Sequence, residues 1–186
     1  MGVSELARKG LRTAGPECIC YSAAVICRIA ETGDIDEICR IETLPEYRSF
    51  IGIWSAEEHR LALANPDILQ IVLPGEHGRL DGYAILQGIR SEHRSLELKR
   101  LAVAEPGRGL GRLLLADAAE RAFLHHGAHR LWLDVFETNT RARHVYEHFG
   151  FRVDGVFRES ILRDSTFHSQ LLMSMLEDEY RARHGV

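Results

Sequence analysis

Residues 103–115, V-A-E-P-G-R-G-L-G-R-L-L-L, constrain this chain more than any other stretch. An apolar strand end passes through a turn carrying Gly107, Gly109 and Gly111 directly into an amphipathic helix. Such a junction can seat an anion. The first amides of a helix lack partners, the helix dipole adds positive potential, and glycine lets an oxygen approach the main chain with no Cβ in the way. Arg108 and Arg112 add charge beside it. Read from the glycines alone, a tight turn with solvated arginines serves equally well. Two familiar phosphate motifs fail here. A P-loop needs Gly-Lys followed by Ser or Thr, and a dinucleotide fingerprint begun at Gly107 or Gly109 needs a glycine where Arg112 or Leu114 stands. NTP hydrolysis and nicotinamide chemistry are therefore not indicated.

The chain around this junction is 186 residues, 45% hydrophobic and 27% charged, which suits one domain and excludes disordered and disulfide-stapled classes. Its formal charge of −4 gives no general attraction to phosphate backbones, so no nucleic-acid partner is expected. Cys18, Cys20, Cys27 and Cys39 have no zinc-site spacing and read as reduced thiols of a cytoplasmic protein. The apolar stretch 19–29 is broken by Arg28 and lacks a cleavage site, and no segment is long enough to span a bilayer, so no membrane association is expected. Residues 1–23 read as a loosely ordered tail, 24–180 as the domain and 181–186 as a C-terminal tail.

Periodicity supplies the elements. Strands are expected at 25–29, 68–73, 80–89, 96–104, 130–136, 151–161 and 167–176, the last two joined at Arg163-Asp164-Ser165. Helices are expected after capping boxes formed by Asp34 with Glu37 and by Ser55 with Glu58. In the helix from Gly109 to His126, Leu110, Leu114, Ala118 and Ala122 form one ridge and Leu115, Ala119 and Phe123 the next. A fourth helix starts at Asn139, carries Ala142, Val145, Tyr146 and Phe149 on one face, and ends at Gly150. The order β-α-α-β-β-β-α-β-α-β-β is an α/β pattern. The loop 44–54, with Tyr47, Phe50 and Trp54, either caps the core or lines an acceptor site.

Two blocks together resemble the GNAT superfamily of acetyl-CoA-dependent N-acetyltransferases. Pro106-Gly107-Arg108-Gly109-Leu110-Gly111 looks like its Q/R-x-x-G-x-G/A signature, and residues 139–151, N-T-R-A-R-H-V-Y-E-H-F-G-F, look like its N-x-x-A-x-x-x-Y-x-x-x-G-F block. The closing segment 155–176, with Arg158-Glu159, is most similar to enzymes that acetylate ribosomal-protein N-termini. The resemblance implies a mixed central sheet of six to seven strands flanked by about four helices. It also implies acetyl-CoA as acyl donor, with Arg108, Gly109, Leu110, Gly111 and Arg112 at the pyrophosphate. Leu101, Ala102 and Val103 would pair with the pantetheine arm, a Val103 amide would stabilise the oxyanion, and Asn139 would contact the cofactor while capping its helix. Tyr146 matches the tyrosine that protonates the departing thiolate. A phenol of pKa about 10 can donate to a thiolate whose acid sits at about 8.5.

Glu97, six residues before Val103, is the expected base, with an ion-pair partner of Lys99 or Arg100 as the plainer role. Pro106 departs from the signature and removes one N–H. His144 and His148 lie four apart but have no third ligand, so no metal is expected, while His168 on the last hairpin is within reach of an acceptor only as the lesser of its readings. The expected activity is transfer of acetyl to a primary amine of a protein N-terminus, peptide or small molecule, by direct attack in a ternary complex. The alternative is a non-catalytic acyl-CoA-binding or interaction module. A homodimer is compatible with either.

Overall fold

The computed structural model describes residues 27–186, so the expected tail 1–23, the start of the first strand, Cys18 and Cys20 lie outside the described residues. Seven strands form one mixed sheet: β1 (Arg28–Ile29), β2 (Ile68–Pro74), β3 (Leu80–Gln87), β4 (Ser95–Val103), β5 (Arg130–Phe136), β6 (Arg152–Arg163) and β7 (Thr166–Leu176). Their order is β1-β2-β3-β4-β5-β7-β6. Neighbours are antiparallel except β4 and β5, which run parallel. The β6–β7 hairpin turns on Asp164 and Ser165, both at positive φ, which suits a tight two-residue turn.

Helices cover both faces of the sheet. On one, α1 (Ile35–Glu42) and α2 (Ala56–Ala64) pack over Val72, Tyr83, Ile85 and Ala102. The other carries α3 (Leu110–Glu120), continued through Arg121–His125 by a wider turn, together with α4 (Thr140–Phe149). Both expected ridges of α3 are buried, from Leu110 to Phe123. Each fully buried leucine among them contributes about 1.5–3 kcal/mol.

Local signals explain most boundaries. Ser55 Oγ accepts from Glu58 N–H at 3.2 Å and the Glu58 carboxylate accepts from Ser55 N–H at 2.6 Å, the reciprocal pairing expected there. Asn139 Oδ1 accepts from Ala142 N–H at 3.1 Å. The first box is built differently. Asp34 accepts from the Glu31 N–H and from Arg28, while Glu37 turns to Arg40, Arg79 and the Leu80 amide.

A fifth α-helix, α5 (Glu177–His184), occupies most of what reads as a C-terminal tail. Only Tyr180 of this helix is buried, stacked on Phe123 with centroids 4.7 Å apart, so no apolar stripe announces it. Among the described residues no helix is long and apolar enough to cross a membrane. Cys27 and Cys39 are free thiols, and burial pushes Cys27 up to about 12, which keeps it protonated and unreactive.

Candidate active site

The parallel seam of the sheet does not stay closed. β4 pairs with β5 only at Ser95–Arg130, Leu96–Leu131 and Glu97–Trp132. Immediately afterwards Lys99 is an extra residue against β3, since Arg100 faces Ile85 but Leu98 faces Leu86. Such a bulge bends a strand and strengthens its twist. β4 and β5 part beyond it, and a cleft of about 840 Å³ opens between them.

The open edge of β4 offers main-chain groups. Ala104 N–H donates to Asp81 O at 2.7 Å on the β3 side, and strand alternation turns the peptide groups of Leu101 and Val103 the other way, into the cleft. Val103 is already engaged there. The Tyr47 hydroxyl donates to its carbonyl and accepts from its N–H, both at 2.8 Å. The strand runs out into the glycine turn, where Gly107 and Gly109 adopt φ of 96° and 79°, conformations that favour glycine. Gly109 is the N-cap of α3, and the first-turn amides of Leu110 and Gly111 have no carbonyl one turn behind to accept them. With Arg112 they make a seat suited to a diphosphate at the end of an extended arm along β4.

The expected site residues divide. Leu101, Val103, Gly109, Gly111, Arg112, Asn139 and Tyr146 all line the cleft. Ala102 faces the opposite side and packs with the α1–α2 core. The Leu110 side chain is buried, and its contribution to an anion seat is its amide. Arg108 is exposed and bonded to Glu105 at 2.9 Å. Glu97 is buried and not itself among the lining residues, and it pairs with Lys99 Nζ at 3.1 Å. His168 packs against Phe136, 5.7 Å between centroids. Among the described residues no group of three potential ligands could hold a metal.

Several lining residues were not singled out in the sequence. Asp134 on β5 reaches into the cleft, where Gln170 Nε2 donates to it. Water has access to this carboxylate, yet the cleft walls crowd it enough to raise its pKa, against the opposing charge of Lys99. Tyr146 is raised further above the ordinary phenol range, first by burial and then by the charge of Asp134. The two walls meet at Arg163 of the hairpin, whose Nη1 donates to Arg48 O at 3.1 Å and Ile51 O at 3.0 Å. Tyr47, Phe50 and Ile51 therefore line the cleft, whereas Trp54 lies beneath it under the Arg100 guanidinium, 4.2 Å away. The only prior signal for Asp134 was a charge interrupting an apolar strand.

Comparison with known proteins gives a consistent picture. Residues 35–151 match the family model described as Acetyltransferase (GNAT) family. The chain is 32% identical over 124 residues to an uncharacterized N-acetyltransferase of Mycobacterium bovis, covering 63% of this chain and 75% of the relative. It is 31% identical over 131 residues to an N-alpha-acetyltransferase of Sulfolobus acidocaldarius, covering 67% and 78%. In fold it is similar to a spermidine N-acetyltransferase of Vibrio cholerae crystallised with CoA and spermine, with a TM-score of 0.75, 23% identity and coverage of 83% and 96%. These relatives support the superfamily and do not single out the ribosomal-protein enzymes.

Proposed function

The chain belongs to the GNAT family of acetyltransferases, and from that premise we propose that it moves acetyl from acetyl-CoA to a single primary amine borne on an apolar body, such as a peptide N-terminus. The observation that carries this reading is the juxtaposition, in one cleft, of an unpaired β4 edge, a glycine-turn anion seat, the Tyr146 phenol and the Asp134 carboxylate. Acetyl-CoA, when bound, supplies the acetyl group as an activated thioester. The β4 edge suits a pantetheine arm lying as an extra strand, with the pyrophosphate on the amides of Leu110 and Gly111 and on Arg112. The Leu101 N–H, which strand alternation turns into the cleft, is the donor best placed for charge developing on the carbonyl oxygen.

Proton movement follows from the two shifted groups. The raised Tyr146 keeps its proton at neutral pH and donates at the departing sulfur. Asp134 takes the proton that the attacking amine must lose, a role that Glu97, in the part of β4 still paired with β5 and tied to Lys99, is poorly placed to fill. An α-amine near pKa about 8 asks less of this carboxylate than an alkylamine near about 10.4.

Charge in the acceptor half favours one amine over a polyamine. Glu46 and Asp134 face Lys99 and Arg163, between walls of Phe50, Ile51, Phe136 and Ile161. Several ammonium groups would lack matching carboxylates there.

The test is thiol release from acetyl-CoA with peptides bearing apolar first residues, and with spermidine for comparison. Peptides are expected to be the better acceptors. Tyr146→Phe is expected to lower turnover about 100-fold while acetyl-CoA affinity stays within about twofold. Affinity without turnover for every amine would instead identify a binding module.

A further inference from the structure

We propose that Tyr47 is a positioning residue that stands in for the acyl donor: its hydroxyl satisfies the Val103 peptide until a pantetheine amide replaces it. The inference rests on the acetyl-CoA reading above. A single hydroxyl both donates to the Val103 carbonyl and accepts from its N–H, each at 2.8 Å. That pair of bonds is what an added strand would make with this residue, and Val103 is the last residue of β4 before the phosphate turn. Tyr47 therefore occupies the point where an arm anchored at Gly109 must first meet the strand.

The arrangement has a physical reason. Val103 is 7% exposed, and a peptide group at such a place without a partner would be costly. Tyr47 is only partly buried, at the margin of the α1–α2 core, so in this proposal its side chain moves while the loop stays in place. It comes from the loop between α1 and α2, whose backbone stays fastened to the β6–β7 hairpin through the Arg163 bonds to Arg48 O and Ile51 O. In the proposed exchange the side chain rotates and the phenol leaves Val103 for the cleft that Tyr47 already lines. Donor binding and the free Tyr47 conformation are thus coupled, so binding of the acyl donor reshapes the amine's site.

Tyr47→Phe keeps the ring and removes the competitor. In the free protein the Val103 amide is expected to exchange with solvent at least about tenfold faster in the variant, because its acceptor is gone. By calorimetry, acetyl-CoA is expected to bind the variant about three- to tenfold more tightly, while 3′,5′-ADP, which has the nucleotide but no arm, binds both proteins equally. Unchanged or weaker acetyl-CoA binding by Tyr47→Phe overturns the proposal and leaves the transferase reading intact. An equal gain for 3′,5′-ADP also overturns it, since the effect would then not lie in the arm. Absence of binding of either ligand to both proteins sinks the acetyl-CoA reading and the Tyr47 role with it.

Discussion

Asp134 shows how a single side chain can be set against the stability of its own fold. Its pKa is raised by the surrounding protein, with Lys99 opposing, so the folded chain binds its proton more tightly than the unfolded chain does. The sign follows: stability linked to this group is full below the unfolded value of about 3.9 and is lost as pH rises through the higher folded value. At neutral pH the ionised carboxylate therefore destabilises the fold, as expected of a group retained for proton transfer. Asp134→Asn is expected to lower kcat about 100-fold or more with no loss of melting temperature, read by steady-state kinetics beside thermal melts. The acid limb of the kcat/KM profile should lie above the ordinary carboxylate range and disappear in that variant. Glu97→Gln, measured alongside, is expected to keep that limb.

At the scale of elements, the helix ends do most to place the site. Gly109 at φ 79° lets β4 turn into α3 with its first amides outward, and Gly150 at φ 122° ends α4 one turn beyond Tyr146. The second glycine is also a packing requirement. A Cβ there would stand 2.6 Å from Met175 Cε and 3.1 Å from Arg183 Cδ, joining β7 and α5 to the end of α4. Gly150→Ala is expected to cost about 1–3 kcal/mol in denaturant unfolding, from the positive φ and the overpacking together. Because α4 carries Tyr146, turnover should fall more than acetyl-CoA affinity, which depends on the other end of the cleft.

Across the whole molecule, a buried polar network ties the two helices of one face to the strands that open the cleft. Glu42 of α1 is fully buried and accepts from Tyr83 at 2.7 Å, Arg100 at 2.6 Å and the Trp54 N–H at 2.9 Å, with His59 Nε2 at 3.4 Å. Gln70 Nε2 donates to the His59 carbonyl, so Gln70 Oε1 is left to accept from His59 Nδ1 at 2.9 Å. Burial alone would raise Glu42, but the bonds from Tyr83 and the Trp54 N–H and the charge of Arg100 outweigh it and hold the carboxyl below the ordinary range. Its stabilisation is thus complete above the unfolded value of about 4.3 and is lost as pH falls through the lower folded value. Glu42→Gln leaves Arg100 buried without a counter-charge, and is expected to cost about 3–5 kcal/mol at neutral pH and to flatten the acid side of the melting-temperature profile.

What the linear chain determined was whatever depends on neighbours a few residues apart. The α3 ridges, the Ser55 and Asn139 caps, the glycine turn and Tyr146 within its helix all follow from local spacing, and the succession of strands and helices along the chain follows from the alternation of periods. Tertiary structure decided everything that needs distant segments to meet. The Lys99 bulge makes β4 leave β5, and only that parting turns Asp134 from an interruption in a strand into a cleft carboxylate while Glu97 stays in the paired part of the seam. Tyr47 reaches Val103 across 56 positions, and α5 is held by the Tyr180 stack on Phe123 together with the pairs Glu177–Arg94 and Glu179–Arg152. No periodicity encodes such contacts, because their free energy resides in the meeting of side chains and peptide groups that the chain brings together only after it has folded.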